Sequence, residues 1–175
     1  MNKIKIDMSH SLYLSSFILG IFLFGFQSCV NAPDYPIEPV LTFKSFSKNG
    51  MKQSPSKAAD YLDVVIGFTD GDGDLGNPED GKKEDVFIFD TRDKVVSDNY
   101  KVPYVAPQGT GNGINGEMIL RLYTTCCKYP DSSLPCFPNS VFKTDTVRYK
   151  VWIFDRAGHK SNELQLPDIY LDCTK

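Results

Sequence analysis

The feature that most constrains the fold is a series of short segments in which apolar and polar residues alternate, each bounded by turn-forming residues. Three segments show this period most clearly. Their apolar positions are Leu62, Val64, Ile66 and Phe68; Met118, Leu120 and Leu122; and Val147, Tyr149, Val151 and Ile153. Because successive side chains of a strand point to opposite faces, a period of two indicates strands with one buried face. Such strands are typical of antiparallel sheets.

Candidate strands fill most of the chain after residue 36, and no stretch of about ten residues has a helical period. We predict strands at 37–46, 61–69, 85–90, 116–125, 145–154 and 163–171, with a weaker candidate within 94–105. Six or seven strands over about 140 residues is the number expected of an immunoglobulin-like sandwich. The sequence therefore predicts an all-β domain over residues 37–175, an immunoglobulin-like antiparallel β-sandwich of about seven strands.

The first 28 residues have the composition of a secretory signal. Two lysines lie within the first five residues, an apolar run covers 12–26, and the small residue Ser28 directly precedes Cys29. A positive start, an apolar centre and a small residue before the cleavage point are the parts of a bacterial signal peptide. We therefore assign 1–28 to a signal peptide and 29–36, which contains two prolines, to a linker ahead of the folded domain.

The cysteine at the cleavage point resembles the lipobox of bacterial lipoproteins, in which this thiol is diacylated and becomes the first residue of the mature protein. Phe26 and Gln27 depart from the usual residues of that box, whereas Ser28 fits it. The resemblance implies lipidation of Cys29 and attachment to a membrane. Val30 in place of an aspartate favours the outer membrane. The alternatives are an ordinary signal peptide and an uncleaved anchor, for which the apolar run is short of roughly 20 residues.

Charge excludes nucleic acid as a partner. The full chain has a formal charge of −3, and loss of Lys3, Lys5 and Asp7 with the signal peptide makes it −4. Binding to phosphate backbones requires a basic surface, which an acidic domain of this size lacks.

Four further cysteines predict two disulfides, since an even number in an exported chain usually pairs. They are Cys126, Cys127, Cys136 and Cys173. Adjacent cysteines are too close to bridge without strain, which leaves Cys126–Cys173 with Cys127–Cys136, or Cys126–Cys136 with Cys127–Cys173. We favour the first pairing, because prolines in the 127–136 segment suggest a local staple.

The end of the chain carries a resemblance to a family. Residues 151–162 read Val-Trp-Ile-Phe-Asp-Arg-Ala-Gly-His-Lys-Ser-Asn, with a strand followed by a D-x-A-G-x-x-S-N turn. Together with the lipobox cysteine, the D-G-D-G-D-L-G stretch at 70–76 and the paired cysteines at 126 and 127, this ending resembles the small immunoglobulin-like lipoproteins of Gram-negative envelopes. The resemblance implies a fold and a cellular location, and it brings no activity with it.

The 70–77 segment is the strongest candidate for chemistry. Asp70, Asp72 and Asp74 alternate with glycines, and Asn77 follows them. Glycine lets the backbone coil tightly, which turns the three carboxylates inward, and calcium binds six to eight such oxygens. The segment is not an EF-hand, because Leu75 occupies the position of its invariant glycine. We predict a structural calcium site; the alternative is a solvated acidic turn.

Sandwich topology supplies one more ligand. In an immunoglobulin-like sandwich, the loops after the second and sixth strands emerge at the same end. If these strands are 61–69 and 145–154, Asp155 lies near Asp70 and joins the predicted ligands, with Arg156 as a counter-charge. Asp155 is an equally good candidate for capping its own turn through the backbone of Gly158.

The residues favour binding over catalysis. The mature chain has one histidine, His159, in a predicted turn, and its cysteines are predicted to be paired. We predict a non-catalytic accessory or adhesion-type module that binds a protein partner. The alternative is calcium-dependent carbohydrate binding, in which Trp152 and Phe154 project from the outer face of their strand. We expect instead that the 94–115 segment covers both rings, because aromatic side chains in strands are usually buried.

Overall fold

A computed structural model describes residues 34–78, 84–106 and 113–174 of the 175-residue chain. These residues belong to one compact unit, Ala32–Lys175; the other unit, Met1–Asn31, lies outside the described residues. The predicted signal peptide, Cys29 and the linker as far as residue 33 therefore lie outside them as well. Within the described ranges, no helix has the length and apolar character needed to cross a membrane.

The fold is all-β, as the alternating pattern predicted. Its ten strands are β1 (Val40–Phe46), β2 (Gly50–Lys52), β3 (Tyr61–Asp70), β4 (Val86–Asp90), β5 (Val95–Tyr100), β6 (Ile114–Tyr123), β7 (Thr144–Val147), β8 (Tyr149–Ile153), β9 (Leu164–Gln165) and β10 (Ile169–Asp172). One turn of 3-10 helix, Lys57–Ala59, precedes β3 and is the one helical element of the described chain.

Three sheets pack around a shared core. Their strand orders are β1-β3-β6, β5-β4-β8-β9 and β2-β10-β7. All pairings are antiparallel except β2 with β10, and the longest ladder aligns Tyr61 with Tyr123 and Asp70 with Ile114. The arrangement is consistent with a β-sandwich; its immunoglobulin-like character stays a prediction.

The core consists of the apolar positions that the sequence pattern singled out. Leu62, Val64 and Ile66 of β3 are fully buried, and so are Val151 and Ile153 of β8. These side chains belong to one continuous cluster that draws on all three sheets. Removing this apolar surface from water is the main force holding the sheets together.

Two predicted strands are each divided between sheets. The segment predicted as one strand at 145–154 is β7 and β8, with the break at Arg148; β7 pairs with β10, whereas β8 pairs with β4 and β9. The last predicted strand, 163–171, is likewise β9 and β10, separated by a stretch containing Pro167, which has no N–H to donate to a ladder. With the short β2, these breaks raise seven predicted strands to ten.

The favoured disulfide pairing is wrong, and the alternative is present. Cys126 pairs with Cys136, and Cys127 with Cys173, at Cα–Cα distances of 4.6 and 6.0 Å. The reason is the side on which each neighbour points. Cys127 is fully buried and meets Cys173 at the end of β10, whereas Cys126 is half-buried and faces its own loop. Buried Gln53 accepts from the Cys127 N–H and donates to the Cys173 carbonyl.

A charged network is buried where β4 ends. The Arg92 guanidinium lies 3.0 Å from the Asp90 carboxylate and 2.7 Å from that of Asp145, and its side chain is 13% exposed. The Asp90 and Asp145 carboxylates raise the pKa of Arg92 although burial opposes them. One cation therefore neutralises two largely buried carboxylates that belong to different sheets.

Candidate metal centre

Four carboxylates converge at one end of the sandwich. One oxygen from each of Asp70, Asp72, Asp74 and Asp155 lies within 4.8 Å of the others. Asp70 is the last residue of β3, and Asp155 is the second residue after the end of β8. The two strands therefore deliver these carboxylates from different sheets. The meeting of Asp155 with the acidic loop, predicted from sandwich topology, is present in the structure.

Glycines give the loop its tight path. Gly73 and Gly76 have φ angles of +68° and +73°, a region that disfavours side chains. The coil is closed by the Asp74 N–H, which donates to Asp70 Oδ2 over 2.9 Å. Asp70 and Asp74 are thereby brought to the same side of the loop.

Asp155 caps its own turn and also lies in the carboxylate cluster. Its Oδ1 accepts from the N–H groups of Gly158 and His159 at 2.6 and 2.8 Å, which caps the following turn. Its Oδ2 lies 2.7 Å from Nδ1 of His159, and the Asp155 carboxylate raises the pKa of that imidazole. Asp72, Asp155 and His159 form a second, overlapping group with metal-ligand spacing. The turn cap thus holds Asp155 in place beside the acidic loop.

Burial leaves two of the carboxylates short of partners. These two are Asp70 and Asp74: the Oδ1 atom of each is buried and receives no hydrogen bond from any described residue. Asp70 is 0% exposed, and so is Asp155 beside it. Native structures rarely leave buried polar atoms in this state unless an ion or water serves them. The two unpartnered oxygens therefore support a cation as the missing partner of the cluster.

Electrostatics point the same way. Burial, followed by the charge of Asp72, raises the pKa of Asp70 to about 7. Burial also raises the pKa of Asp74, with Asp155 and Asp72 adding to the effect. At neutral pH these carboxylates are therefore costly to keep charged together. A divalent cation would remove that cost, because an opposite charge at close range favours the ionised form.

Arg156 supports the backbone of the acidic loop. One guanidinium nitrogen donates to the carbonyls of Leu75, Gly76 and Val105 at 2.7–3.0 Å, and the Arg156 N–H donates to the Asp74 carbonyl. Its positive charge lowers the pKa of Asp74, against the larger effect of burial. The predicted counter-charge is therefore present and acts mainly through hydrogen bonds to the loop carbonyls.

Asn77 has a partner that the sequence did not indicate. Its amide Nδ2 donates to the carboxylate of Asp85, a fully buried residue just before β4. The Asp85 N–H donates to the Tyr100 carbonyl at 3.0 Å, and the Asp85 carbonyl accepts from the Phe154 N–H at 2.9 Å. Nothing in the sequence marked Asp85, since an acid before an apolar strand is common in turns. The place of Asn77 among the ligands stays a prediction.

Trp152 and Phe154 lie on the outer face of the β5-β4-β8-β9 sheet, and both are half-buried. Their ring partners come from β4: Phe87 stacks on Trp152 at 5.9 Å and meets Phe154 edge-on at 5.8 Å. The ammonium of Lys160 lies 4.6 Å from the Trp152 ring centroid.

The expectation that the 94–115 segment covers these rings is wrong for its β5 part, Val95–Tyr100. Val95–Tyr100 is β5, which lies beside β4 in the same sheet, and Ile114 already belongs to another sheet. Backbone pairing places β5 in the plane of the sheet, so it cannot cover the outer face.

Comparison of the chain with protein-family models, with curated proteins and with solved structures finds no significant match to any of them.

Proposed function

We propose that this protein is a lipid-anchored, non-catalytic module of a Gram-negative cell envelope, an accessory or adhesion-type domain that binds a protein partner and carries a structural calcium ion. The observation that carries the proposal is the cluster of Asp70, Asp72, Asp74 and Asp155, in which one oxygen of Asp70 and one of Asp74 are buried without a hydrogen bond from any described residue. Lipidation at Cys29 and placement in the outer membrane complete the proposal.

Calcium is the cation that the donor set supports best. The four ligands of the larger group are all carboxylates, and hard cations such as calcium prefer oxygen. Asp72 is exposed, which leaves that side of the site open to water as further ligands. An ion held by Asp70, Asp74 and Asp155 would tie the end of β3, the acidic loop and the turn after β8 together, and this is a structural role.

Exposed apolar side chains at the other end of the sandwich support the proposal of a protein partner. Because β3 and β6 are antiparallel and ten residues long, residues after Tyr123 emerge about 30 Å from Asp70. The segment after Cys126 exposes Leu134, Phe137 and Val141 by 63–75%, and Leu134 lies within the loop closed by the Cys126–Cys136 disulfide. Exposed apolar patches commonly mark interaction sites, and this disulfide restricts the part of the segment between its two cysteines before binding.

Thermal unfolding in calcium and then in EDTA tests the metal site. Calcium at about a hundred times its dissociation constant should add roughly 2.7 kcal/mol of stability. The Asp72→Ala, Asp74→Ala double variant should lose this increment. An Asp131→Ala, Asp168→Ala double variant, which removes the same charge from exposed positions outside the cluster, should keep it. Identical melts with and without calcium would show that the loop is an acidic turn.

Calcium-dependent carbohydrate binding is the second candidate, and the outer aromatic face favours it. Phe87, Trp152 and Phe154 are half-exposed, and a depression of about 390 Å³ is lined by Phe87 and Phe154 together with Glu84 and Gly158. Aromatic rings next to polar groups are suited to contact with sugar rings. Trp152 is the one tryptophan of the chain, so its fluorescence reports directly on this face. Saturable, calcium-dependent changes on titration with envelope glycans would support this function, and unchanged emission would exclude it.

A further inference from the structure

Tyr35 and Pro36, near the start of the described chain, contact the acidic loop at residues 70–77. The Gly71 N–H donates to the Pro36 carbonyl over 2.7 Å, and Gly71 lies between two of the proposed ligands, Asp70 and Asp72. A Cβ on Gly71 would come within 2.3 Å of the Tyr35 carbonyl oxygen and 2.6 Å of that of Pro36. The backbone of the linker therefore occupies the space that a side chain at residue 71 would need.

A second contact holds the linker from the other side. The Tyr35 ring packs on Gly113, where a Cβ would lie 2.8 Å from its Cδ2, and the Asn115 amide donates to the Tyr35 hydroxyl at 3.0 Å. Asn115 belongs to β6, whose neighbouring residue Ile114 pairs with Asp70. The linker is thus held between the acidic loop and the strand beside it.

We propose that a cation bound in the 70–77 loop locks the linker at Tyr35–Pro36 against the domain and so fixes where the chain leaves it toward Cys29. The inference rests on the proposed metal site, whose independent support is the buried, unpartnered Oδ1 of Asp70. Ligation of Asp70 and Asp72 would immobilise both peptide groups that flank Gly71. Without the cation, repulsion among the clustered carboxylates favours an open loop, which moves the Gly71 N–H away from Pro36.

This arrangement has a consequence for a lipidated chain. Cys29 lies six positions before Tyr35, and a fully extended chain over six positions spans about 20 Å. A lipidated Cys29 could therefore lie no further than about that distance from Tyr35.

The test compares the unsubstituted protein with a Gly71→Ala variant, each expressed in a Gram-negative host and purified in detergent. The substitution keeps every proposed ligand and introduces a methyl group where the linker backbone lies. The matched control is Gly67→Ala in β3, where a Cβ would meet the flexible end of the Lys44 side chain at 2.6 Å and Thr42 Oγ1 at 2.8 Å. Calcium affinity is measured by calorimetry with CaCl₂, and backbone order at Tyr35 and Ile37 by ¹⁵N relaxation.

Calcium should raise the order parameters of Tyr35 and Ile37 from below about 0.6 to about 0.85 in the unsubstituted protein and in the Gly67→Ala control. Gly71→Ala should leave both amides mobile in calcium and weaken calcium binding by at least about fivefold, because coupling between two sites is reciprocal. Calcium binding with no change in linker order, or with unchanged affinity in Gly71→Ala, would overturn the inference and leave the metal site intact. Absence of calcium binding to the unsubstituted protein would overturn both.

Discussion

The buried carboxylates of the acidic loop predict an unusual pH dependence for the cation-free protein. In EDTA, its free energy of unfolding should fall as the pH rises from 5 to 8, whereas most proteins are near their most stable in this range. Asp70 is the main cause, because burial and the charge of Asp72 raise its pKa to about 7 in the folded protein. In the unfolded chain the same carboxyl has its ordinary pKa of 3.8.

The sign and size follow from these two values. The folded protein retains a proton on Asp70 across a range where the unfolded chain has lost it, so the stabilisation is complete below pH 3.8 and lost as the pH rises through about 7. Between pH 5 and pH 8 the loss is roughly 2–3 kcal/mol. The raised pKa values of Asp74 and His159 act in the same direction. Carboxylates whose pKa is lowered contribute below this range: Asp60, Asp63, Asp131, Glu163 and Asp168.

Urea unfolding at one-unit pH intervals, in EDTA and in saturating calcium, measures this dependence. Calcium should remove most of the slope, since the cation takes the place of the proton. Asp70→Asn should also flatten the EDTA curve, because the amide has no proton to lose, whereas the exposed Asp131→Asn should retain the unsubstituted slope. A cation-free stability that is constant or rises between pH 5 and 8, or an Asp70→Asn variant with the original slope, would refute the reasoning.

Two further predictions concern the rest of the domain. Replacing the Cys127–Cys173 pair by serines should lower the free energy of unfolding by about 4 kcal/mol, and replacing Cys126–Cys136 by about 3 kcal/mol. The difference arises because the first disulfide closes a separation of 46 residues and the second a separation of 10. Urea titrations of both variants measure the two losses, and equal or reversed losses would show that loop closure is not the cause. Arg92→Met should destabilise by about 3–5 kcal/mol, since it leaves two largely buried carboxylates without their cation; a loss below about 1 kcal/mol in the same titration would show that the network is effectively solvated.

The sequence was a reliable guide where structure depends on local periodicity. Alternation at Val147, Tyr149, Val151 and Ile153 correctly identified the buried face across both β7 and β8, because a strand keeps its period of two wherever it pairs. It could not reveal the break at Arg148. That break reflects a change of partner, from β10 to β4 and β9, and partner choice depends on tertiary packing.

The same distinction explains the candidate site. Topology was enough to bring Asp155 to Asp70, because strand order determines which loops share an end. The direction of individual side chains was beyond it. Cys126 and Cys127 point to opposite sides of one chain, so the local staple involves the cysteine that the proline argument passed over. The Asn77–Asp85 hydrogen bond was likewise not predictable, because the direction of both side chains depends on the packing around them. The stacking of Phe87 on Trp152 depends on the pairing of two strands that are distant in sequence.

The two ends of the sandwich have different means of linking distant segments: a disulfide at one end and, in our proposal, a cation at the other. Loops at the end of a sandwich lack the ladder hydrogen bonds of the strands, so links between distant segments are effective there. At one end the Cys127–Cys173 disulfide joins the region after β6 to the end of β10. At the other, the strands deliver carboxylates that repel one another unless a cation joins them. If the proposed cation binds, a chelator and a reductant should loosen opposite ends of the same domain, and the chelator should act on the end where Tyr35 and Pro36 contact the acidic loop.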